Sequence, residues 1–431
     1  MVKGIGYEGP SSRNPLAFKH YNSDEVVLGK TMKEHLRFSV AWWHTFRGDG
    51  RDPFGAPTLL RPWNDDSNTI NEALNRVDAA FEFFHKLGVG YYTFHDVDVS
   101  PQVDDLKASN EMLDEVTDYM KTKQEELDIN LLWGTANLFS HPRYMLGAAT
   151  SSDFNVYARA AAQVKHCMEV THKLGGKNYV FWGGREGYQS VLNTDIRFEL
   201  DNAAQFFRMA KNFKEALGAD FQLLIEPKPR EPTKHQYDYD AQTVISFLRT
   251  YGLESDFKLN IEPNHTTLAG HDYEHDITIA SKYGMLGSID ANTGDPLVGW
   301  DTDQFPMDVK KTTLTMMTVL AQGGLAPGGL NFDAKVRRES TDLEDLFYAH
   351  IGAMDTFARG LKAAAALIEE GEYLALLKER YSSWDCELGR QVEKGEACFE
   401  DLERQALAQD PSHKPASGRQ ELFEMVFNRY T

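Results

Sequence analysis

Short apolar runs rich in β-branched and aromatic residues recur along the chain, separated by longer stretches whose apolar residues fall at helical spacing. The runs are R-F-S-V-A-W-W (37–43), G-V-G-Y-Y-T-F-H-D (88–96), I-N-L-L-W-G-T-A-N (129–137) and N-Y-V-F-W-G-G (178–184). Four more follow, D-F-Q-L-L-I-E-P (220–227), F-K-L-N-I-E-P (257–263), M-L-G-S-I-D-A-N (285–292) and G-G-L-N-F-D-A-K (328–335). Near-continuous apolar character is the pattern of strands covered on both faces. Helical periodicity occupies 71–87, 105–125, 153–174, 196–217, 240–251, 271–283 and 307–322, then opens again at 342. Several of these stretches stop at glycine, as in K-L-G-V-G and T-Y-G-L, which is the expected C-terminal signal. Eight strand-helix units in series predict an α/β fold, one (β/α)8 TIM barrel. The pattern divides the chain into an N-terminal extension (1–35), the barrel (36–361) and a strand-free helical tail (362–431) expected to wrap a neighbouring subunit.

Barrels of this kind place their chemistry at the C-terminal ends of the strands, where the βα loops converge. His95, Glu226, Glu262, Asp290 and Asp333 all fall there. Glu262 and His265, in E-P-N-H, are close enough for a turn to bring carboxylate and imidazole onto one ion. Asp301 and Asp303, in W-D-T-D, share one side of an extended segment because side chains alternate with period two. Glu226 and Lys228, in E-P-K, pair an acid with an ammonium. Each pattern alone also has an ordinary reading: a tight turn, a solvated loop, a salt bridge. Together they suggest an oxygen-rich cation site with one imidazole, suited to Mg, Mn or Co rather than to a thiolate-seeking structural zinc. His95 and Asp98, in F-H-D-V-D, read as an acid/base couple in which the carboxylate fixes the ring tautomer, or else as a core histidine beside a capping aspartate. Trp43, Phe139 and Trp182 lie on or just past strand ends, as barrel packing or as walls that shield a reaction centre and stack on a sugar.

The formal net charge of −20 (45 Lys and Arg against 65 Asp and Glu) argues against nucleic acid and anionic membrane as partners. No apolar run approaches the ~18 residues of a membrane span, and the start lacks an apolar signal core. Cys167, Cys386 and Cys398 show neither disulfide nor thiolate-metal spacing. A cytoplasmic enzyme is expected.

The motifs F-H-D-x-D, T-A-N-L-F, F-W-G-G-R-E-G, I-E-P-K-P, E-P-N-H and R-D-P-F-G, with the Asp290/Asp301/Asp303/Asp333 series, closely resemble xylose isomerase. The long opening from Y-E-G-P through L-G-K-T-M-K-E-H-L-R-F resembles the class II subgroup, and the likeness extends to the closing S-G-R-Q-E-L-F. The resemblance implies two divalent cations per subunit. Glu226, Glu262, Asp290 and Asp333 would hold one; Glu262, His265, Asp301 and Asp303 the other, with Glu262 bridging. It further implies that His95, oriented by Asp98, assists sugar ring opening and that Lys228 binds the C1 oxygen. Trp43, Phe139, Trp182 and Thr135 would contact substrate, and Phe54 would reach into an adjacent subunit of a homotetramer built as a dimer of dimers. The implied reaction is interconversion of D-xylose and D-xylulose, and of D-glucose and D-fructose, by a 1,2-hydride shift. Two rivals stand beside it: a metal-dependent repair endonuclease, which would want more histidine ligands and a basic face, and a non-catalytic sugar-binding protein.

Overall fold

The computed structural model describes residues 4–431, so residues 1–3 of the expected extension lie outside the described residues. Eight parallel strands close a barrel: β1 (Phe38–Ala41), β2 (Tyr91–His95), β3 (Asn130–Thr135), β4 (Asn178–Trp182), β5 (Gln222–Glu226), β6 (Phe257–Ile261), β7 (Leu286–Asp290) and β8 (Leu330–Phe332). Each pairs with its neighbours in sequence, and β8 closes on β1 through Leu330 with Phe38 and Phe332 with Val40. The strands are shorter than the apolar runs because only the belt where all eight run side by side is hydrogen-bonded. The excess residues of each run become the loops that carry the chemistry.

Helices follow each strand: α1 (Ile70–Leu87), α2 (Leu106–Leu127), α3 (Phe154–Lys173), α4 (Ile196–Leu217), α5 (Ala241–Tyr251), α6 (His275–Lys282), α7 (Val309–Ala321) and α8 (Glu344–Glu370). Side chains of Thr69, Asp105, Asp195, Asp240 and Asp308 cap their N-termini by accepting backbone N–H bonds. At the other end Gly88 (φ 76°) and Gly252 (φ 65°) take the left-handed turn that side chains resist. α6 starts at His275, later than its periodicity suggests, because residues 271–274 form a turn after an extra short helix, Pro263–Leu268.

One large apolar core lies between strands and helices, and a smaller cluster of Leu132, Trp133, Val180 and Leu224 fills part of the barrel interior. Across the rest of that interior the fully buried side chains are polar: Ser39, Thr93, Asn260, Asp290 and Asn331. Thr93 donates to Asn331 at 2.9 Å, and Asn331 and Asn260 each donate to Asp290 at 2.8 Å, while the Ser39 hydroxyl has no partner among the described residues. The N-terminal segment is tied down by Asp355 of α8, whose carboxylate accepts the backbone N–H groups of Lys19, His20 and Tyr21 at 2.8–3.1 Å. Residue 362 lies inside α8, which ends at Gly371. Beyond it four short helices, Glu372–Tyr381, Glu387–Glu393, Phe399–Ala408 and Gln420–Phe427, touch the body chiefly through Val426 and Phe427 packed on Leu367.

Candidate active site

The two strand-end motifs with histidine each fold into a helical turn. After β6, Glu262 ends the extended chain and Pro263 opens the short helix, a position where its missing N–H and fixed φ fit. One turn returns His265 over Glu262, with Nε2 3.2 Å from Glu262 Oε2 and 3.4 Å from Asp301 Oδ2. Its Nδ1 lies 3.0 Å from the Pro227 carbonyl, which fixes the proton there and turns the Nε2 lone pair toward two carboxylates. A lone pair facing anions is repulsive unless a cation lies between. After β2, Asp98 reaches back from a single helical turn to accept both the His95 backbone N–H at 2.8 Å and Nδ1 at 2.9 Å. Burial opposes charge on His95, but Asp98 outweighs it and the pKa lies above the usual imidazole value. The second nitrogen, Nε2, is left as the acceptor.

Around Glu262, ligand-grade atoms converge in three groups, each within 4.8 Å: Glu226 with His265, Asp301 with Asp303, and Asp290 with Asp333. Glu262 belongs to all three, so every acid of the two sets expected from sequence shares a neighbourhood with it. Burial, and then the other acids, push Glu226 and Glu262 well above the ordinary carboxylate range. The same causes bring Asp290 up to about 7. Asp303 goes the other way, since Lys335 and His44 overcome its burial. A cluster whose buried carboxyls resist ionising for want of positive charge, beside an imidazole already in its ligating tautomer, fits divalent cations.

Amides hold this cluster in place. Asn260 donates to Glu226 and Asp290, both at 2.8 Å, and Asn292 donates to Glu262 at 2.7 Å and to the Asp333 carbonyl at 2.8 Å. Asn264 bonds Asp301 and Asp303. Asp303 itself has φ 42°, a left-handed conformation costly for a non-glycine residue.

A cavity of about 170 Å³ opens above the acids, walled by Trp43, Trp133, Phe139 and Trp182, with Thr135 and His95 on its side. Ring centroids of Phe139 and Trp182 stand 4.3 Å apart, and those of Trp43 and His95 4.6 Å. Four sequence-selected residues do not line it. Asp290 lies fully buried beneath the other acids, and Asp98 sits behind His95. Lys228 is buried against Asp301 at 2.5 Å and under the Trp182 ring. Phe54 is 83% exposed on a loop, its ring 6.0 Å from Trp300.

Sequence reading missed His44, whose Nε2 lies 3.1 Å from Asp303 and 2.9 Å from Asp333; those carboxylates overcome its burial and hold its pKa at about 9. It also missed Trp133, Lys335 and the amide frame. A signal existed for the amides: Asn260/Glu262, Asp290/Asn292 and Asn331/Asp333 are each two apart on a strand end, hence on one face.

Comparison with known proteins adds an independent line. Residues 377–431 match the family model described as the XylA2 C-terminal domain. The chain is 58% identical over 426 residues to a protein of Arabidopsis thaliana named xylose isomerase, covering 99% of this chain and 89% of that one. It is 55% identical over 429 residues to the xylose isomerase of Rhodopirellula baltica, covering 100% and 98%. Among solved structures, a D-psicose 3-epimerase from Clostridium cellulolyticum H10 superposes with a TM-score of 0.51 at 13% identity, covering 75% of this chain and 99% of that one. At that identity the likeness speaks to the barrel fold alone.

Proposed function

The chain belongs to the xylose isomerase family, and from that premise we propose that it interconverts D-xylose and D-xylulose, and D-glucose and D-fructose, with two divalent cations per subunit. The observation that carries this reading is the membership of Glu262 in three converging ligand groups at the floor of an aromatic-walled cavity. Glu226, Glu262, Asp290 and Asp333 would hold one ion; Glu262, His265, Asp301 and Asp303 the other. When bound, Mg, Mn or Co would supply Lewis acidity toward the sugar oxygens.

The chain's own groups do the rest. His95 Nε2, kept free by the Nδ1 bond to Asp98, takes the anomeric hydroxyl proton as the bond from C1 to the ring oxygen breaks, and that proton is returned to the ring oxygen, which becomes a hydroxyl. In the open sugar the C2–H bond breaks with its electron pair, which forms the new C1–H bond, while the proton of the C2 hydroxyl passes to the oxygen on C1, so that C2 becomes the carbonyl and C1 the alcohol. Trp43, Trp133, Phe139 and Trp182 keep water from this transfer. Lys228 is assigned to the C1 oxygen, for which it must give up its contact with Asp301. Every carboxylate of the cluster is placed as a ligand, which leaves none to act as a base on carbon. A homotetramer, with residues beyond Gly371 embracing a neighbouring subunit and Phe54 presented to an adjacent pocket, accounts for the exposure of Phe54, Phe399 and Leu407. The acidic surface and a cavity of this size favour a small neutral substrate over nucleic acid. Among the described residues no helix is long and apolar enough to cross a membrane. Incubation with xylose and Mn, followed by product analysis, tests the activity: xylulose is expected, and recovery of unchanged xylose overturns the reading. In deuterated water the product should carry little deuterium at C1; substantial incorporation would mean an enediol instead of a hydride shift.

A further inference from the structure

Away from the cavity, the ring of His271, on the segment joining the Pro263–Leu268 helix to α6, stacks on that of His275, the first residue of α6, with centroids 4.1 Å apart and planes 17° from parallel. Asp276, next in the chain, is 3% exposed. One ligand-grade atom from each of His271, His275 and Asp276 lies within 4.8 Å of the other two. Two buried atoms of this cluster, His275 Nε2 and Asp276 Oδ1, have no hydrogen-bond partner of good geometry among the described residues, the Asp276 carboxylate being held otherwise by the Thr266 hydroxyl and the Ala241 backbone N–H. Leaving a buried nitrogen and a buried carboxylate oxygen unpaired costs free energy for each. Two such atoms in one three-residue cluster are accounted for by one species that accepts electron pairs. The surroundings add negative charge: Asp240 Oδ2 is 3.2 Å from His271 Nε2. The cluster also reaches the catalytic segment, because Asp276 Oδ2 accepts from the hydroxyl of Thr266, the residue after His265, at 3.3 Å.

We propose that His271, His275 and Asp276 form a third cation site, separate from the cavity, that takes a borderline divalent ion of the zinc, nickel or cobalt class. Two imidazoles and one carboxylate favour such ions over Mg, which prefers an all-oxygen shell. In-plane lone pairs of stacked rings run side by side, so binding opens the angle between the two imidazoles. The ion ties α6 to the turn that carries His265 and to the N-terminal end of α5, where Asp240 is the cap. Its effect is therefore on the rigidity of that segment.

Equilibrium dialysis of the wild-type protein, His271→Gln and His275→Asn against Zn, with metal counted per chain, tests the site. Each variant should hold one Zn fewer than the wild type, whereas all three should hold equal Mg. The readout is the difference between proteins, so it does not depend on how many ions the catalytic cavity takes. Equal Zn counts in all three overturn the proposal and leave a water-bridged histidine pair. Should a variant fail to fold, zinc-soaked crystals of the wild type decide: an anomalous peak between His271, His275 and Asp276 is expected, and its absence with peaks elsewhere overturns the site.

Discussion

His95 illustrates how a neighbour sets a side chain's task. Asp98 lifts its pKa above the usual imidazole value of 6.5 against the pull of burial, and a base must be neutral to accept a proton. The competent fraction therefore falls as pH drops through that raised pKa, and the acid limb of kcat/KM should lie above pH 6.5. Asp98→Asn removes the raising partner and leaves burial, so the limb should move to lower pH as the maximal rate falls. An unchanged acid limb would assign it to another group. His95→Ala should cost about 10²–10⁴-fold on cyclic sugar, and less when open-chain sugar is supplied. The amide frame predicts a different readout. Asn292→Ala frees Glu262 and the Asp333 carbonyl, and should weaken Mn binding by about 10–100-fold, the usual effect of losing a group that orients a ligand, as measured by calorimetry.

Elements depend on a few close approaches. A Cβ on Gly328, just before β8, would stand 2.0 Å from the Gly287 carbonyl oxygen of β7, where backbone must move. Gly328→Ala should destabilise by about 3 kcal/mol or more, at the upper end of overpacking costs, read from the denaturant midpoint. Asp355 gathers three backbone N–H groups of the N-terminal segment onto α8. Asp355→Ala leaves them unpaired and should cost about 2–3 kcal/mol, with earlier proteolytic cleavage near residue 20 as the second signature. A variant as resistant as the wild type would mean the segment is held by its apolar contacts at Phe18 and Tyr21 instead.

For the protein as a unit, the proposed cations and the proposed assembly would set the working stability. An ion present at 100 times its dissociation constant stabilises by about 2.7 kcal/mol, so exhaustive chelation should lower the melting temperature and abolish turnover, with Mg, Mn or Co restoring both. Full activity after chelation would exclude the two-cation reading. Truncation after Gly371 uncovers Leu367, against which Val426 and Phe427 pack, and should yield smaller assemblies by light scattering.

The barrel and most of its centre were legible in one dimension because both rest on local pattern: apolar runs of strand length, helical periodicity between them, and ionisable residues at strand ends. The eight strands and the convergence of Glu226, Glu262, His265, Asp290, Asp301, Asp303 and Asp333 follow from closing that pattern into a ring. Chain order did not reveal what lies across the ring. His44 stands beside Trp43 in sequence, yet only closure of β8 on β1 brings it against Asp303 and Asp333. Lys228 reads in the sequence as the partner of Glu226, two residues before it; folding instead presents Asp301, 73 residues later. The polar half of the interior, Thr93 to Asn331 to Asp290, was hidden for the same reason. Periodicity tells which face a side chain takes; the partner that makes a buried polar group affordable comes from strands far apart in the chain, and three-dimensional packing alone selects it.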